Sequence, residues 1–485
     1  MPEREDAGHV HELLSSAPTA RRRTADAWLI LSAAIAAMIG VLSASPIGDV
    51  DLFWHIRSGE YGLRGQAFPH PDPWSFTLPA VHWHSTAWLS EVLFAVIDDA
   101  FGLRGIQWLR AALILLVCAA VARLIAQSAS GPAGALAFGV TLVPLSGYLQ
   151  ERPQTISLLF VVWLASLTDG VLTRSQVPRW WSLVVTSWVW WWFHGLAILV
   201  PAFLILLAGM SALDRKTALA RGLLWRALAC LAVGGLTPVG PGALVNAITV
   251  SSAARGTITE WQPTNFVPIQ TWGWAVQLAV VFVGWSRSKK PVPRHELIFV
   301  LILTAYGLTA FRNSGVASLM LVPVFARRLA DALPSSTLRV PVAFVAAFAV
   351  VVPVVTLSQV ATQPVLDNFE PQAIAKHLAR QPATVRVFND YDVSGYLIYA
   401  AGSKVSLAVD GRAERYGAEF LRDYDRASRG TGTWQSFVDD LHPDVAVLPR
   451  NGPLTQLLMG VEGWKVAQRD HDWVLLVAPG VTIAP

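Results

Sequence analysis

Residues 48–91 read GDVDLFWHIRSGEYGLRGQAFPHPDPWSFTLPAVHWHSTAWLSE and lie between two apolar stretches, each long enough to cross a bilayer. The segment brings carboxylates, imidazoles, guanidinium groups and indoles together between these stretches. It is too long and too varied in chemistry to be a plain connection between two membrane helices. We therefore expect the rest of the chain to form a frame that holds this loop at a membrane face.

The composition is that of a polytopic α-helical membrane protein. Of the 485 residues, 53% are hydrophobic and 14% are charged, and the mean hydropathy is +0.45. Soluble domains carry roughly 25% charged residues. The basic pI does not indicate nucleic-acid binding, because the basic residues stand singly beside apolar stretches. Both cysteines fall within predicted spans, so no disulfide framework is expected.

About 11 stretches are apolar and long enough to be transmembrane helices. They are residues 27–45, 105–126, 132–148, 155–172, 179–194, 196–213, 222–237, 272–286, 295–311, 315–332 and 340–358. Basic residues concentrate in alternate loops, which predicts a cytoplasmic amino terminus in a bacterial-type plasma membrane. One alternative stays open for the first span, because Arg21–Arg23 and Ser43–Ser45 around an apolar run also resemble a cleaved signal peptide.

Three domains are predicted along the chain. They are a cytoplasmic arm over residues 1–26, a transmembrane domain over 27–360 with a large first external loop at 46–104, and an extracytoplasmic α/β domain over 365–485. In the last domain, short β-rich runs alternate with helical patterns, which is typical of a small α/β domain. The runs are residues 385–388, 405–409, 445–448 and 473–477, and the helical patterns are 371–380, 417–428 and 434–441. Asp410, Gly411 and Arg412 follow a predicted strand and fit either a ligand site or a plain turn.

The first loop contains two predicted helices. Residues 52–63 have apolar side chains at helical spacing, so this helix is expected to lie on the bilayer surface, with Asp51 as its amino-terminal cap. A second amphipathic helix begins at Trp88 and is expected to end at Gly102, with Glu91 on its solvent face. Asp72 stands among prolines and is expected to be a turn residue.

Other outward loops also carry isolated ionisable residues. Glu151 and Arg152 occupy a very short loop, where they either form an interfacial ion pair or reach the same cavity as the first loop. His194 follows a tryptophan cluster at the end of a span, Glu260 is a lone acid in an uncharged stretch, and Arg312 follows the ninth span. Ionisable groups at membrane depth or its rim tend to be functional. We expect these groups to converge on one cavity.

An enzyme that uses a sugar carried on a polyprenyl phosphate would need this combination. The lipid tail lies among membrane helices, and the phosphate needs cationic or hydrogen-bonding partners, for which Arg152, Arg312 and His194 are the candidates. The acceptor hydroxyl needs a carboxylate base within hydrogen-bond reach, which Asp49 or Asp51 can supply. Membrane lipids surround such a protein, and no nucleic-acid partner is expected.

Several motifs resemble those of the GT-C glycosyltransferases. Asp51–Arg57 (DLFWHIR), Gly59–Tyr61 (GEY) and Asp72–Ser75 (DPWS) are similar to the first external loop of that family, with oligosaccharyltransferase catalytic subunits as the nearest comparison. Thr257–Glu260 (TITE) is similar to the T-I-x-E element of bacterial members. The sequence has no W-W-D-Y-G motif, so we predict transfer of a single sugar and not recognition of a peptide sequon.

The resemblance implies roles for particular residues. Asp51 falls on the catalytic acid of the family, with Asp49 as a neighbour or substitute, and Glu260 falls on the glutamate that engages metal and acceptor. Asp51 and Glu260 would then be the ligands of a divalent cation, Mg or Mn. His82 and His84 are also spaced as two metal ligands can be, without a clear third ligand nearby.

The predicted function is therefore an inverting GT-C-like membrane glycosyltransferase with a polyprenyl-phosphate-linked donor and a cell-envelope acceptor, which is a glycan, a lipid or a protein. The substrate pocket is expected to contain His55, Glu151, Trp261 and Asn313. Two alternatives stay open. One is a non-catalytic membrane scaffold that binds a partner through the outer α/β domain. The other is a transporter, which the scarcity of ionisable residues within spans disfavours.

Overall fold

The computed structural model describes residues 24–26, 46–66, 68–69, 71–78, 83, 85–247, 259–333, 339–341, 347, 350–351, 354–355, 358–362, 364–366 and 369–485. The first predicted span, with its alternative as a signal peptide, and most of the last span lie outside these residues. So does the predicted cytoplasmic arm, apart from three residues.

Helices make up the first two thirds of the described chain. In chain order they are α1 Leu52–Leu63, α2 Trp88–Ala126, α3 Gly131–Leu145, α4 Pro153–Arg174, α5 Trp180–Phe193, α6 Leu199–Leu213, α7 Thr217–Ala232, α8 Ile269–Arg287, α9 Arg294–Thr309 and α10 Phe311–Ala332. Helices α2 to α10 coincide with nine of the predicted spans. By length and composition alone, four helical segments of the described chain are able to cross a membrane, namely Trp88–Ala126, Pro153–Arg174, Gly195–Leu213 and Thr217–Gly235. The total of eleven spans stays a prediction.

Helix α2 joins two elements that the sequence separates. At Gly102 φ is 62° and ψ is −170°, which is not a helical conformation, so the helix that begins at Trp88 ends at this kink, as predicted, and a second helix follows without a loop. The kink connects the second helix of the first loop directly to the following predicted span. The apolar core of the helical part is centred on α4 and α10, whose side chains are buried along most of their lengths.

The last part of the described chain forms a mixed sheet covered by helices. Its elements are α11 Gln372–Ala379, β3 Val385–Asn389, α12 Ser394–Ala401, β4 Val405–Leu407, α13 Gly417–Ser428, α14 Trp434–Leu441, β5 Val445–Pro449, α15 Pro453–Gly460, β6 Lys465–Asp470 and β7 Trp473–Val477. The strand order is β4-β3-β5-β7-β6, with β3 parallel to β4 and β5, and β7 antiparallel to β5 and β6. A separate antiparallel pair joins β1 Thr24–Asp26 to β2 Arg339–Pro341.

The first loop packs against this sheet. Leu407 in β4 donates its backbone N–H to the Trp74 carbonyl at 2.7 Å and accepts one from Phe76 at 3.2 Å, so the loop extends the edge of the sheet. The apolar side chains in the first half of α1 are buried, with Leu52, Phe53 and Ile56 showing 0% exposure. They pack in one core with side chains of α11, α12 and the sheet. The expectation that this face of α1 rests on the bilayer is therefore wrong, because the apolar stripe is covered by protein.

Candidate active site

Two aspartates stand at the beginning of α1. Asp49 is buried, and its Oδ1 accepts a hydrogen bond from the Asp51 backbone N–H at 2.9 Å. Asp51 is the residue before the helix, but its side chain makes no capping hydrogen bond. It accepts a hydrogen bond from Trp54 Nε1 at 3.0 Å instead. Asp51 therefore occupies the predicted cap position without the predicted capping bond.

Arg152 joins these aspartates to a third acid. Because a proline follows it, Arg152 is held in an extended conformation directly before α4. Its guanidinium pairs closely with Asp49, lies 3.4 Å from Asp51 Oδ2 and donates to Glu260 Oε2 at 3.3 Å. Burial alone would lower the pKa of Arg152, but the three carboxylates raise it above its usual value, so the group stays charged. The three predicted catalytic acids thus surround one arginine.

Glu260 links this arginine to a second one. Its Oε1 lies 3.3 Å from Nη1 of Arg312, and Nη2 of the same guanidinium donates to Gln154 Oε1 at 3.2 Å. The Arg312 guanidinium lies over the Trp261 ring, 4.1 Å from the ring centroid. An aromatic face of this kind attracts a cation and restricts its orientation. Charges of alternating sign therefore run without interruption from the first loop to the start of α10.

A cavity of about 450 Å³ lies beside this charged cluster. The predicted site residues on its wall are His55, His194, Trp261, Arg312 and Asn313. Asp51 lies behind Trp54, whose indole donates to Asp51 and also forms part of the wall. The side chain of Asp51 is 21% exposed, and Asp51 itself is not on the cavity wall. The volume falls in the range of roughly 300–1,000 Å³ that small-molecule sites occupy.

His194 contributes a neutral imidazole to this cavity. Its Nδ1 accepts a hydrogen bond from the Leu196 backbone N–H at 3.3 Å, which leaves the proton on Nε2. Burial, together with the nearby Arg312 and His55, lowers the pKa of His194 to about 3. Toward a phosphate, His194 can therefore offer a hydrogen bond but no positive charge at neutral pH.

Glu91 is a site residue that the sequence did not reveal. Its side chain is 2% exposed, which overturns the expected position on a solvent face. It is held by His55 Nδ1 at 3.0 Å and by Ser58 Oγ at 2.7 Å. His55 and Ser58 stand three residues apart on one face of α1, and this spacing is the only local signal for a shared partner.

Glu91 also lies where two cavities meet. A second cavity of about 340 Å³ has Trp83, Ser85 and Glu91 in common with the first. The rest of its wall comes from α1, from the following loop, from Trp88 of α2 and from Pro238 and Val239. Glu91 therefore belongs to the wall between the two cavities.

Glu151 takes a different place from the predicted one. It is buried, pairs closely with Arg110 of α2 and is not on the wall of either cavity. Burial raises the pKa of Glu151 to about 7 even though Arg110 opposes the shift. Glu151 and Arg152 therefore do not pair with each other: Glu151 forms an ion pair with Arg110, and Arg152 joins the first-loop acids without reaching the wall of either cavity.

A divalent cation does not fit the described residues at the predicted position. Asp51 and Glu260 both face Arg152, whose guanidinium already supplies the positive charge between them. Within the described part of the chain, no group of three or more His, Cys, Asp or Glu side chains is arranged to hold a metal. His82, His84, Thr257 and Ile258 lie outside the described residues. Metal dependence stays a prediction, and no step below is routed through a metal.

The C-terminal sheet also contributes to the cavity wall. Glu414 lines the first cavity and accepts a hydrogen bond from Trp83 Nε1 at 3.3 Å. Burial raises the pKa of Glu414 above its usual value. The cavity is therefore enclosed by groups from the first loop, from the membrane helices and from the sheet.

Comparison with solved structures identifies a protein of the same fold. The chain is similar to ArnT from Cupriavidus metallidurans, whose crystal structure contains bound undecaprenyl phosphate, with a TM-score of 0.53 and 15% sequence identity. The similarity covers 94% of this chain and 98% of the ArnT chain. No protein-family model and no curated protein matches the sequence. The match confirms the predicted GT-C fold of membrane glycosyltransferases.

Proposed function

We propose that this protein is a membrane glycosyltransferase that moves a sugar from a polyprenyl-phosphate-linked donor to a hydroxyl of a cell-envelope acceptor on the outer face. The observation that carries the proposal is the charged cluster of Asp51, Arg152, Glu260 and Arg312 beside a 450 Å³ cavity. The cluster and the cavity belong to a fold shared with ArnT, whose crystal structure contains bound undecaprenyl phosphate.

Arg312 is the proposed contact for the donor phosphate. It lies on the cavity wall, and stacking on Trp261 orients its planar guanidinium, which suits a phosphate better than an ammonium does. His194 adds a neutral Nε2–H donor. Arg152 is already shared by three carboxylates, so we assign it to holding the acids rather than the phosphate.

Asp51 is the proposed general base. The acceptor oxygen attacks the anomeric carbon as the bond from that carbon to the phosphate oxygen breaks, and the hydroxyl proton moves to Asp51. The polyprenyl phosphate leaves with its negative charge stabilised by Arg312. A single displacement of this kind inverts the configuration at the anomeric carbon.

The test uses the full-length protein in detergent micelles. Undecaprenyl phosphates carrying different radiolabelled monosaccharides are offered as donors, with a membrane extract as the acceptor pool. We expect the wild type to transfer label from one of them, Asp51→Asn to lose transfer while keeping its thermal midpoint, and Asp99→Asn to resemble the wild type. Asp99 is the matched control because it is an exposed acid of the same loop.

Two outcomes would contradict the proposal. Transfer by Asp51→Asn at the wild-type rate would remove Asp51 as the base. A wild type that transfers no label, and that binds undecaprenyl phosphate no better than undecaprenol, would refute the transferase function and favour the scaffold alternative.

A further inference from the structure

Arg412 is a fully buried arginine outside the charged cluster described above. It follows β4 in the sheet and is 0% exposed. Its Nε and Nη2 donate to Asp410 at 2.9 and 2.5 Å, and its Nη1 donates to Asp72 Oδ2 at 2.9 Å. Although burial alone would raise the pKa of Asp410, the Arg412 guanidinium holds it below its usual value. A guanidinium between two carboxylates thus joins the sheet to the first loop.

Aromatic side chains of the first loop surround the same guanidinium. Phe68, Trp74 and Trp83 place their ring centroids 5.1, 4.7 and 5.2 Å from the Arg412 carbon Cζ. Asp72 is itself fixed, because its Oδ1 accepts the backbone N–H groups of Trp74 and Ser75 at 2.9 and 3.2 Å. Asp72 therefore acts as a turn residue, as predicted, and also as the partner of an arginine 340 residues away.

The residue before Arg412 touches the proposed base. A Cβ atom built on Gly411 would lie 2.2 Å from Asp51 Oδ1 and 2.5 Å from Trp54 Nε1. Carbon atoms do not approach polar atoms so closely, so only a glycine lets the backbone of the turn rest against this carboxylate and indole. The contact therefore involves the proposed base and the indole that lines the cavity beside it.

Resting on the function proposed above, we propose that the turn Asp410–Arg412 is a positioning element for the general base. Arg412 anchors the turn to the first loop, and Gly411 limits where the Asp51 carboxylate can lie. The contact of Gly411 with Trp54 limits the positions of the indole, which lines the cavity beside Asp51. The C-terminal sheet thereby takes part in catalysis without contacting the reacting atoms.

The form of the anchor supports a positioning role. Buried ion pairs contribute little net stability, because desolvation of both charges offsets their attraction. Their geometry, however, is restrictive, since the planar guanidinium donates hydrogen bonds to carboxylates only in defined directions. A displacement of about 1 Å in a catalytic group can lower the rate about 10²-fold. We therefore expect an anchor that fixes Gly411 to affect the rate of transfer more than the free energy of unfolding.

The test compares Gly411→Ala with Gly460→Ala in the full-length protein. Gly460 is the matched control, because it belongs to the same sheet unit and a Cβ atom there would meet nothing within 4 Å. We expect Gly411→Ala to lower kcat about 10²-fold, with the donor KM and the thermal midpoint within error of the control. Arg412→Lys should lower kcat in the same way, although the loss of the fork can also weaken folding.

The outcomes separate this proposal from the function on which it rests. If the wild type transfers sugar, Asp51→Asn does not, and Gly411→Ala retains the kcat of Gly460→Ala, only the positioning role is refuted. A fall in the thermal midpoint together with a proportional rise in the donor KM would also refute it, because that pattern indicates a structural role. A wild type without any transfer refutes both proposals.

Discussion

Asp51 Oδ2 and Arg152 Nη2 lie 3.4 Å apart, and the same guanidinium pairs with Asp49 and Glu260. The proposed base thus shares its cation with two other acids, one from its own loop and one from a distant loop. Of the three carboxylates, Asp49 depends most on Arg152, because its side chain is 0% exposed.

Arg152→Gln is expected to destabilise the protein. Breaking a buried pair from one side leaves an uncompensated charge and costs about 3 kcal/mol. We therefore expect a lower thermal midpoint in detergent and a loss of transfer. In the double variant Arg152→Gln/Asp49→Asn the midpoint should recover in part, because the buried acid no longer carries a charge. Arg64→Gln is the control, since the Arg64 side chain is 64% exposed and such pairs contribute little. A midpoint for Arg152→Gln equal to that of the control would contradict this account.

Glu91→Gln is expected to abolish most transfer without unfolding the protein. The substitution keeps the shape of the side chain and its hydrogen bond from Ser58 Oγ but removes a negative charge at the junction of the two cavities. We expect transfer to fall about 10²-fold, as is typical for loss of a charged group in an acid–base site. Glu60→Gln, on the partly exposed side of α1, is the control. Equal transfer by the two variants would show that Glu91 has only a packing role.

Arg312→Gln is expected to weaken the binding of polyprenyl phosphate. A charge-assisted hydrogen bond contributes about 1.5–3 kcal/mol, so the affinity for undecaprenyl phosphate should fall about tenfold or more. Arg312→Lys should lie between the wild type and Arg312→Gln, since lysine keeps the charge but not the fork. The comparison lipid is undecaprenol, whose binding should not change, and the control variant is Arg123→Gln at an exposed position of α2. A loss of affinity that is equal for both lipids would place Arg312 away from the phosphate.

The elements of the fold follow from local patterns wherever those patterns are strong. Helices α13 and α14 begin and end at the predicted residues, because each has a clear apolar stripe between turn residues. Strand β6 is not predicted, since Lys465–Asp470 is a polar edge strand with little apolar signal. Helices α12 and α15 are not predicted, since neither contains a charged residue that would mark a polar face opposite an apolar one.

The site is predictable only in part, because its contacts join residues that are far apart in the sequence. The alternation of spans indicates which loops share one end of the helices, and Asp51, Arg152, Glu260 and Arg312 do meet there. It does not indicate which carboxylate contacts which guanidinium. Contacts between distant segments leave no local pattern, and therefore the partners of Glu91 and the anchor at Arg412 were not predicted.

His194 is expected to make stability depend on acid pH. Its folded-state pKa of about 3 lies below the usual value of 6.5, so the folded protein binds fewer protons than the unfolded chain between these values. The stabilising contribution is complete above about pH 6.5 and is lost as the pH falls toward 3. In thermal unfolding scans of the detergent-solubilised protein between pH 7 and pH 4, His194→Gln should therefore lose less of its midpoint than the wild type. The exposed His442 is the control, and His442→Gln should follow the wild-type curve. Parallel curves for all three proteins would show that the imidazole of His194 is accessible to water and titrates alike in both states.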